Sequence, residues 1–233
     1  MHRCTSSPRV RVIIGIFLRV RIDITVFDGL DELDALGPRE VFRSAQSLGA
    51  DIEARLVSSS KAEEVRGAFG LRLRPDAVYV PGEADVLVVV GGGWASRSDV
   101  GAWGEVQRGD WPSLIADAKQ TCGLMAGVCT GSLLMAHAGL LEGRRANTHH
   151  SAQDDLRALG VTIVNDRVVD DGDLVTSGGV TSGLDLALWI VEREVAPEIA
   201  DQVATRMEYS RFRPAIVSTP ESFPPIFKYS FEN

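Results

Sequence analysis

A cysteine between two glycines is the residue in this sequence with the clearest chemical potential. Cys129 follows an apolar segment that begins at Leu124, and the small residues after it, from Gly131 to Ala136, are typical of a helix. This pattern indicates a nucleophile elbow, a sharp strand-to-helix turn that presents a nucleophilic side chain. Unpaired N–H groups at the start of the helix would favour the thiolate form. The segment alone fits equally well a cysteine that packs as a small hydrophobe at a strand end.

Two further loops are candidates to meet this cysteine. The acidic loop 28–38 follows a β-branched strand, and Asp34 is its one acid with apolar neighbours on both sides that would draw it inward. We expect the other acids of the loop to be solvated, namely Asp28, Asp31 and Glu32. A run of three glycines, 91–93, follows the apolar strand 85–90, and Trp94 comes next. Ligands bind beyond the carboxyl ends of strands in open parallel sheets, so the three loops should converge.

The chemistry predicted for such a convergence is nucleophilic catalysis. Cys129 is the nucleophile, Asp34 moves protons, and backbone N–H groups near Gly93 and Thr130 stabilise negative charge on a bound intermediate. A Ser-His-Asp triad is disfavoured because the chain contains no Gly-x-Ser-x-Gly motif. His149 is more often a structural histidine than a base in such a context.

Composition and charge limit the classes of function. The chain has 233 residues, 45% of them apolar and 24% charged, with a formal net charge of −8, which disfavours binding to nucleic acid or an anionic membrane. The three cysteines, at positions 4, 122 and 129, have neither metal-ligand nor disulfide spacing, so we expect a cytoplasmic protein without metal or cofactor. The apolar run 12–18 is too short to span a bilayer.

Alternation of strands and helices predicts a doubly wound α/β fold with a mostly parallel sheet. The first core strand is expected at Ile22–Phe27, and Pro38 is expected in the first turn of the following helix. Asp110 is expected to cap a helix that begins at Pro112. Further expected elements are an Asp-Gly hairpin at Val168–Thr176, a helix at Leu184–Val195 and a helix from Pro197 to Met207. We predict an N-terminal extension at 1–21, one domain at 22–210 and an irregular, proline-rich tail at 211–233.

Four segments of the sequence resemble the DJ-1/PfpI superfamily, whose fold is flavodoxin-like and similar to that of class I glutamine amidotransferases. They are Leu33–Pro38, the glycines after Val90, Val128–Ser132 and Gly178–Ala187. Within this superfamily the chain is most similar to the isonitrile hydratases. The features that carry this closer resemblance are aspartate at position 34 and three segments, Cys129–Ser132, Leu140–His149 and Met207–Tyr209.

The resemblance implies a small-molecule substrate and a homodimer. It implies that the Cys129 thiolate attacks the terminal carbon of an isocyanide, and that water converts the resulting thioimidate into an N-substituted formamide. Asp34 would move the protons, the N–H of Thr130 would point into the oxyanion site, and the Thr130 hydroxyl would hold Asp34 or a water. The oxyanion and substrate-binding residues implied are Gly92, Gly93, Trp94, Thr130, His149 and Val180.

Departures from the family pattern leave alternatives open. Thr130 stands where the protease-like branch has histidine, and Asp34 stands where the DJ-1 and glyoxalase-type branches have glutamate. Trp94, Asn147 and His150 differ from what isonitrile hydratases lead us to expect, which leaves the substrate open. The alternatives are a ligand-sensing domain like those of AraC-type regulators, a thiol redox sensor, and an amidase-type or glyoxalase-like enzyme. A regulator is disfavoured because no helix-turn-helix pair is predicted after Met207.

Overall fold

The computed structural model describes residues 19–213, which form a seven-stranded sheet between two groups of helices. The strands are β1 (Val20–Thr25), β2 (Ile52–Ser58), β3 (Val65–Arg66), β4 (Arg72–Leu73), β5 (Ala77–Val78), β6 (Val86–Val89), β7 (Leu124–Gly127), β8 (Arg145–Ala146), β9 (Thr162–Ile163), β10 (Val168–Asp170) and β11 (Leu174–Ser177). The helices are α1 (Glu32–Ser47), α2 (Gly101–Arg108), α3 (Asp110–Ala118), α4 (Gly131–His137), α5 (Gln153–Ala158), α6 (Ser182–Glu194) and α7 (Pro197–Arg206), with a 3₁₀ turn at His150–Ala152.

The central sheet has the strand order β10-β11-β7-β6-β1-β2-β5. All neighbours pair in parallel except β10 and β11, which form the predicted hairpin. Helices α1, α6 and α7 pack together, and α2, α3 and α4 form a second group. The doubly wound, mostly parallel α/β fold predicted from the sequence is therefore confirmed.

The centre of the sheet explains why the site forms where it does. Strand β6 is a continuous apolar run whose four residues are all 0% exposed, as expected for a parallel strand covered on both faces. It lies between β1 and β7, with Val89 in register with Gly127. The loops after these three strands are therefore neighbours at one edge of the sheet.

The first helix begins earlier than the sequence analysis predicted. Asp31 is its N-cap, because its side chain accepts a hydrogen bond from the N–H of Leu33 at 3.1 Å, and Pro38 lies inside the helix instead of in its first turn. Proline has no N–H to donate to the carbonyl of residue 34, so the helix tolerates one missing bond. Asp34 consequently stands in the first turn of a helix, not in a loop.

Other elements differ from expectation by smaller amounts. Strand β1 begins at Val20 and ends at Thr25, two residues earlier than expected at each end. Helix α2 was not predicted, and the residue before α3 is Gly109 in a left-handed conformation, so Asp110 is the first helical residue and not the cap. Helix α6 begins at Ser182, two residues earlier than expected, whereas α7 begins at Pro197 as predicted.

The predicted ends of the chain lie largely outside the described residues. This applies to residues 1–18 of the proposed extension and to residues 214–233 of the proposed tail. Among residues 19–213, none of the helices is both long and apolar enough to cross a bilayer.

Candidate active site

The turn after β7 has the geometry of a nucleophile elbow. Cys129 adopts a positive φ of 55°, which is unusual for a residue other than glycine and is typical of strained functional positions. Two hydrogen bonds hold its backbone: its N–H donates to the carbonyl of Gly178 at 3.1 Å, and its carbonyl accepts from Thr148 Oγ1 at 2.8 Å. The strained turn is thus held by chain segments on either side of it.

Small residues allow the elbow helix to pack against the sheet. A Cβ on Gly131 would overlap the carbonyl oxygen of Val89, and a Cβ on Gly127 would lie 2.8 Å from the sulfur of Met135. Helix α4 therefore approaches β6 and β7 at a distance that only glycine permits at these positions. This close approach places the start of α4 directly beside the thiol.

Asp34 is a buried acid in contact with Cys129, and its role in moving protons stays a prediction. It is 0% exposed, its Oδ2 accepts from the N–H of Gly91 at 3.1 Å, and its carboxyl interacts with the Cys129 side chain. Oδ1 is also buried but makes no hydrogen bond of standard geometry. Burial, and then the charge of Asp31, raise the pKa of Asp34 to about 8 against the opposing effects of Gly91 and Cys129. A carboxyl with this pKa keeps its proton at neutral pH.

The environment of the Cys129 thiol differs from the expectation that a helix N-terminus would favour the thiolate. The residue is only 5% exposed, and burial followed by the charge of Asp34 raises the pKa of its thiol. The backbone N–H groups of Val180 and Thr130 hydrogen-bond to the sulfur and lower that pKa, but desolvation outweighs them. Since part of the increase comes from the Asp34 charge, the pKa of the thiol is lower when Asp34 is neutral than when Asp34 is ionised, and the two groups titrate as a pair.

The Thr130 hydroxyl makes a different contact from the one predicted. Its Oγ1 accepts from the N–H of Gly92 at 2.9 Å, so it ties the elbow to the glycine run and not to Asp34. The N–H of Gly92 is therefore occupied within the protein and is not a free oxyanion donor. Gly92 and Gly93 have φ of 119° and 67°, and a Cβ on Gly92 would overlap the backbone at Asp31, so these glycines shape the site.

Val180 lies in the turn before α6, and its backbone N–H hydrogen-bonds to the Cys129 sulfur. It has a positive φ of 41°, a further strained position at the site. A Cβ on the preceding residue, Gly179, would overlap the ring of His149. The sequence analysis expected backbone donors near Gly93 and Thr130, whereas the N–H groups that hydrogen-bond to the sulfur are those of Val180 and Thr130.

His149 forms part of the wall beside this turn. It is half-buried, its Nδ1 lies 2.8 Å from Ser151 Oγ, and its ring lies 4.2 Å from that of His150. Burial and His150 lower the pKa of His149, whereas Asp31 opposes this change. The structure thus places His149 next to Gly179 and Val180, and its participation in substrate binding stays a prediction.

Trp94 follows the glycine run but enters an aromatic cluster. It is 4% exposed, its Nε1 donates to Asp155 Oδ2 at 2.5 Å, and its ring lies 5.2 Å from that of Trp103. Arg97 stacks over both indoles and pairs with Asp155 at 2.6 Å. Packing in this cluster therefore accounts for the burial of Trp94. A role of Trp94 in substrate binding stays a prediction.

Sequence reasoning missed three groups that build the site. Gly91 binds Asp34, Gly178 binds the backbone of Cys129, and Thr148 donates to the carbonyl of Cys129. No spacing pattern marks these contacts, because each joins segments that are distant in the chain. Asp31 carried a usable signal, since an aspartate three residues before another acid and an apolar segment is a common helix start.

The chain shares sequence and structure with known proteins. Residues 20–193 match the DJ-1/PfpI family. The chain is 33% identical over 208 residues to isonitrile hydratase of Pseudomonas putida. The matched residues cover 89% of this chain and 86% of that protein. A crystal structure of a THiJ/PfpI family protein from Pseudomonas syringae superposes with a TM-score of 0.73 at 27% identity, over 87% of this chain and 80% of that one.

Regulatory proteins are also among the similar sequences. The chain is 31% identical over 178 residues to the HTH-type transcriptional regulator CdhR of Pseudomonas aeruginosa. The match covers 75% of this chain but only 51% of the regulator, so this chain corresponds to about half of that protein's length.

Proposed function

Since this chain belongs to the DJ-1/PfpI family, we propose that it is an enzyme that hydrates isocyanides to N-substituted formamides with Cys129 as nucleophile. The observation that carries the proposal is the buried pair of Asp34 and Cys129, in which the acid's pKa is raised to about 8. Similarity to isonitrile hydratase of Pseudomonas putida along most of both chains supports the choice of substrate class.

The reaction needs a nucleophile and a proton donor at the same carbon. The reacting state of the pair is the one with a Cys129 thiolate and a neutral Asp34. In this state the terminal carbon of an isocyanide accepts an electron pair from the thiolate, which forms the S–C bond. The same carbon then takes the proton of Asp34, which gives a thioimidate and leaves Asp34 as a carboxylate. A neutral acid is required for this step, and the raised pKa of Asp34 keeps it neutral at pH 7.

Hydration of the thioimidate returns both groups to their starting state. The Asp34 carboxylate takes one proton from water as the water oxygen bonds to the carbon, and it passes that proton to the substrate nitrogen. It then takes the second proton of the former water as the C–S bond breaks. The products are the formamide, the Cys129 thiolate and neutral Asp34, so the net reaction consumes one isocyanide and one water.

The N–H groups at the sulfur support the charged states of this cycle. Those of Val180 and Thr130 hydrogen-bond to the Cys129 side chain and favour its anionic form. Donors fixed by backbone turns need no reorganisation during the reaction, which is the usual advantage of an oxyanion-type site.

The proposal is tested by turnover of a model isocyanide. Purified protein mixed with cyclohexyl isocyanide should remove the infrared isocyanide band and produce N-cyclohexylformamide, detected by mass spectrometry. Cys129→Ala should abolish the reaction. Asp34→Asn should lower kcat by at least about 100-fold, the range of general acid–base catalysis. Absence of turnover with several alkyl and aryl isocyanides would contradict the proposal.

A ligand-sensing domain is the second candidate function, favoured by the similarity to the regulator CdhR. In that case the chain would bind a small molecule at Cys129 without converting it. Isothermal titration with the same isocyanides and with their formamides separates the two, because a sensor would show saturable binding and unchanged ligand, whereas an enzyme would release formamide over many turnovers.

A further inference from the structure

Asp31 lies directly beside the reacting pair although the sequence analysis placed it in solvent. Its N–H donates to the carbonyl of Gly91 at 3.0 Å, and the N–H of the same Gly91 donates to Asp34 Oδ2 at 3.1 Å. Both acids are therefore held against one residue of the glycine run. In addition, the N–H of Asp34 donates to the carbonyl of Asp31 at 3.1 Å, so the two acids share the first turn of α1.

Residues three apart in a helix have neighbouring side chains, with about 5–6 Å between their Cβ atoms. The Asp31 side chain is fixed in this position because Oδ1 caps the helix through the N–H of Leu33 at 3.1 Å. Burial raises the pKa of Asp31, and the bond from the Leu33 N–H and the positive end of the helix oppose this rise by favouring the ionised, accepting form.

We propose that Asp31 is a positioning residue of electrostatic type, whose carboxylate lies beside the Asp34 carboxyl, disfavours its ionisation and so helps to keep it available as a proton donor to the site. The proposal builds on the proposed function only in treating Cys129 and Asp34 as the reacting pair.

The charged groups around Asp31 are few and can each be placed. Glu32 and Asp34 lie on the same helical turn, and His149 faces Asp31 from the segment after β8, beside His150. Glu32 directs Oε1 to the N–H groups of Phe69 and Leu71, at 2.8 and 3.2 Å, and so faces away from the thiol. Of the acids besides Asp34 in this turn, Asp31 is the one whose charge raises the pKa of Asp34.

The decisive variant is Asp31→Asn, because asparagine caps helices as well as aspartate does and removes only the charge. The measurement is the pH dependence of Cys129 alkylation by iodoacetamide, followed by mass spectrometry of the peptide, in a Cys4→Ser background. Cys122 is also buried, and burial raises its pKa to about 11, so fragmentation of the peptide in the mass spectrometer is used to assign the alkylated cysteine. This readout requires no isocyanide and stays valid if the protein hydrates none.

Removing the Asp31 charge lets Asp34 ionise at lower pH, and the Asp34 charge then disfavours the Cys129 thiolate. We therefore expect the midpoint of the alkylation profile to move to higher pH, by up to about one unit. Asp31→Ser, a second neutral cap, should shift the midpoint in the same direction and replaces Asp31→Asn if that variant does not fold.

Glu32→Gln is the matched control, since it removes one charge from the same helical turn and keeps an oxygen acceptor for the two N–H groups. We expect its midpoint to stay at the wild-type value. A profile of Asp31→Asn that coincides with wild type would overturn the proposal. An equal shift in Glu32→Gln would overturn it too, because the effect would then reflect net charge and not the position of Asp31.

Discussion

At the scale of single residues, burial of Asp34 couples the stability of the fold to pH. Its pKa is about 8 in the folded protein against an ordinary value of 3.8. Between these values the folded protein holds a proton that the unfolded chain has released, so the free energy of unfolding falls as pH rises through this window. The buried Asp34 carboxyl, which the proposed reaction needs, therefore lowers the free energy of unfolding at neutral pH.

We predict that Asp34→Asn is more stable than wild type at pH 8, by up to a few kcal/mol, and that the difference shrinks toward pH 4. Asparagine keeps an oxygen for the Gly91 N–H but has no proton to lose. Urea unfolding at pH 5 and pH 8 measures the effect, with Glu32→Gln as the control for loss of a carboxylate. A stability difference that is independent of pH would contradict the assignment.

Thr148 is a second residue whose role can be measured directly, through the hydrogen bond that its hydroxyl donates. It donates to the Cys129 carbonyl at 2.8 Å, and the residue is 1% exposed. Thr148→Val is nearly isosteric and leaves a buried carbonyl without its donor, so we predict a loss of about 1–3 kcal/mol in unfolding free energy and slower alkylation of Cys129. Thr148→Ser keeps the hydroxyl and is the control. Equal behaviour of the two variants would show that the bond does not support the elbow.

At the scale of secondary structure, the packing of α4 on the sheet is the feature with the least tolerance. Gly131 is the first residue of α4, where alanine should stabilise the helix by propensity. Its Cβ would nevertheless overlap the carbonyl oxygen of Val89. Displacing a backbone atom in the middle of a sheet requires the strands to move. The steric overlap should therefore destabilise the protein more than the higher helix propensity of alanine stabilises it.

We predict that Gly131→Ala lowers the free energy of unfolding by more than about 2 kcal/mol and slows the Cys129 thiol reaction. The matched control is Gly139→Ala just after the same helix, which has a positive φ of 79° but open space around its Cβ position. We expect that control to lose only about 1 kcal/mol. If Gly131→Ala were the more stable of the two in urea unfolding, the close approach of α4 and β6 would be wrong.

Elements with strong local signals could be predicted from the sequence, and those set by long-range contacts could not. The apolar run of β6, the Asp-Gly hairpin and the start of α7 at Pro197 carry their signals within a few residues. The start of α1 was misplaced because Pro38 is a common first-turn residue, whereas here the Asp31 cap and the contact with Gly91 set the boundary.

The candidate site shows the same division. Cys129 and Asp34 could be identified from their neighbours, since each stands in a distinctive local pattern. The partner of Asp34 could not, because its contact with Gly91 joins positions 57 residues apart. The raised pKa of the Cys129 thiol was also unexpected, since a sequence shows the helix that follows a cysteine but not the depth of its burial.

At the scale of the whole molecule, the site is formed by four segments that only the complete sheet brings together. They are the start of α1, the glycine run after β6, the elbow after β7 and the turn before α6. The bonds of the thiol with Val180 and Asp34 join the elbow to the turn before α6 and to the start of α1. Catalytic turnover, in contrast to simple alkylation, should therefore be lost together with the global fold and not persist in a partly folded state.

Within residues 19–213, three exposed apolar side chains lie near the start of α1. Phe69 is 84% exposed, and Leu71 and Leu33 are 45% and 40% exposed. The bonds from Glu32 Oε1 to the N–H groups of Phe69 and Leu71 hold these side chains near the start of α1. An exposed cluster of this kind is typical of surfaces that pack against another protein.

We predict a homodimer that uses this cluster, as the family resemblance implies. Light scattering should give a mass near twice the 25.1 kDa of one chain. Phe69→Asp should lower the measured mass toward that of one chain, because burying an unpaired charge in the interface is unfavourable. Val80→Asp, at an apolar residue that is 46% exposed elsewhere on the surface, is the control and should leave the mass unchanged. A monomeric wild type would contradict the dimer, and a dimeric Phe69→Asp variant would place the interface on another face.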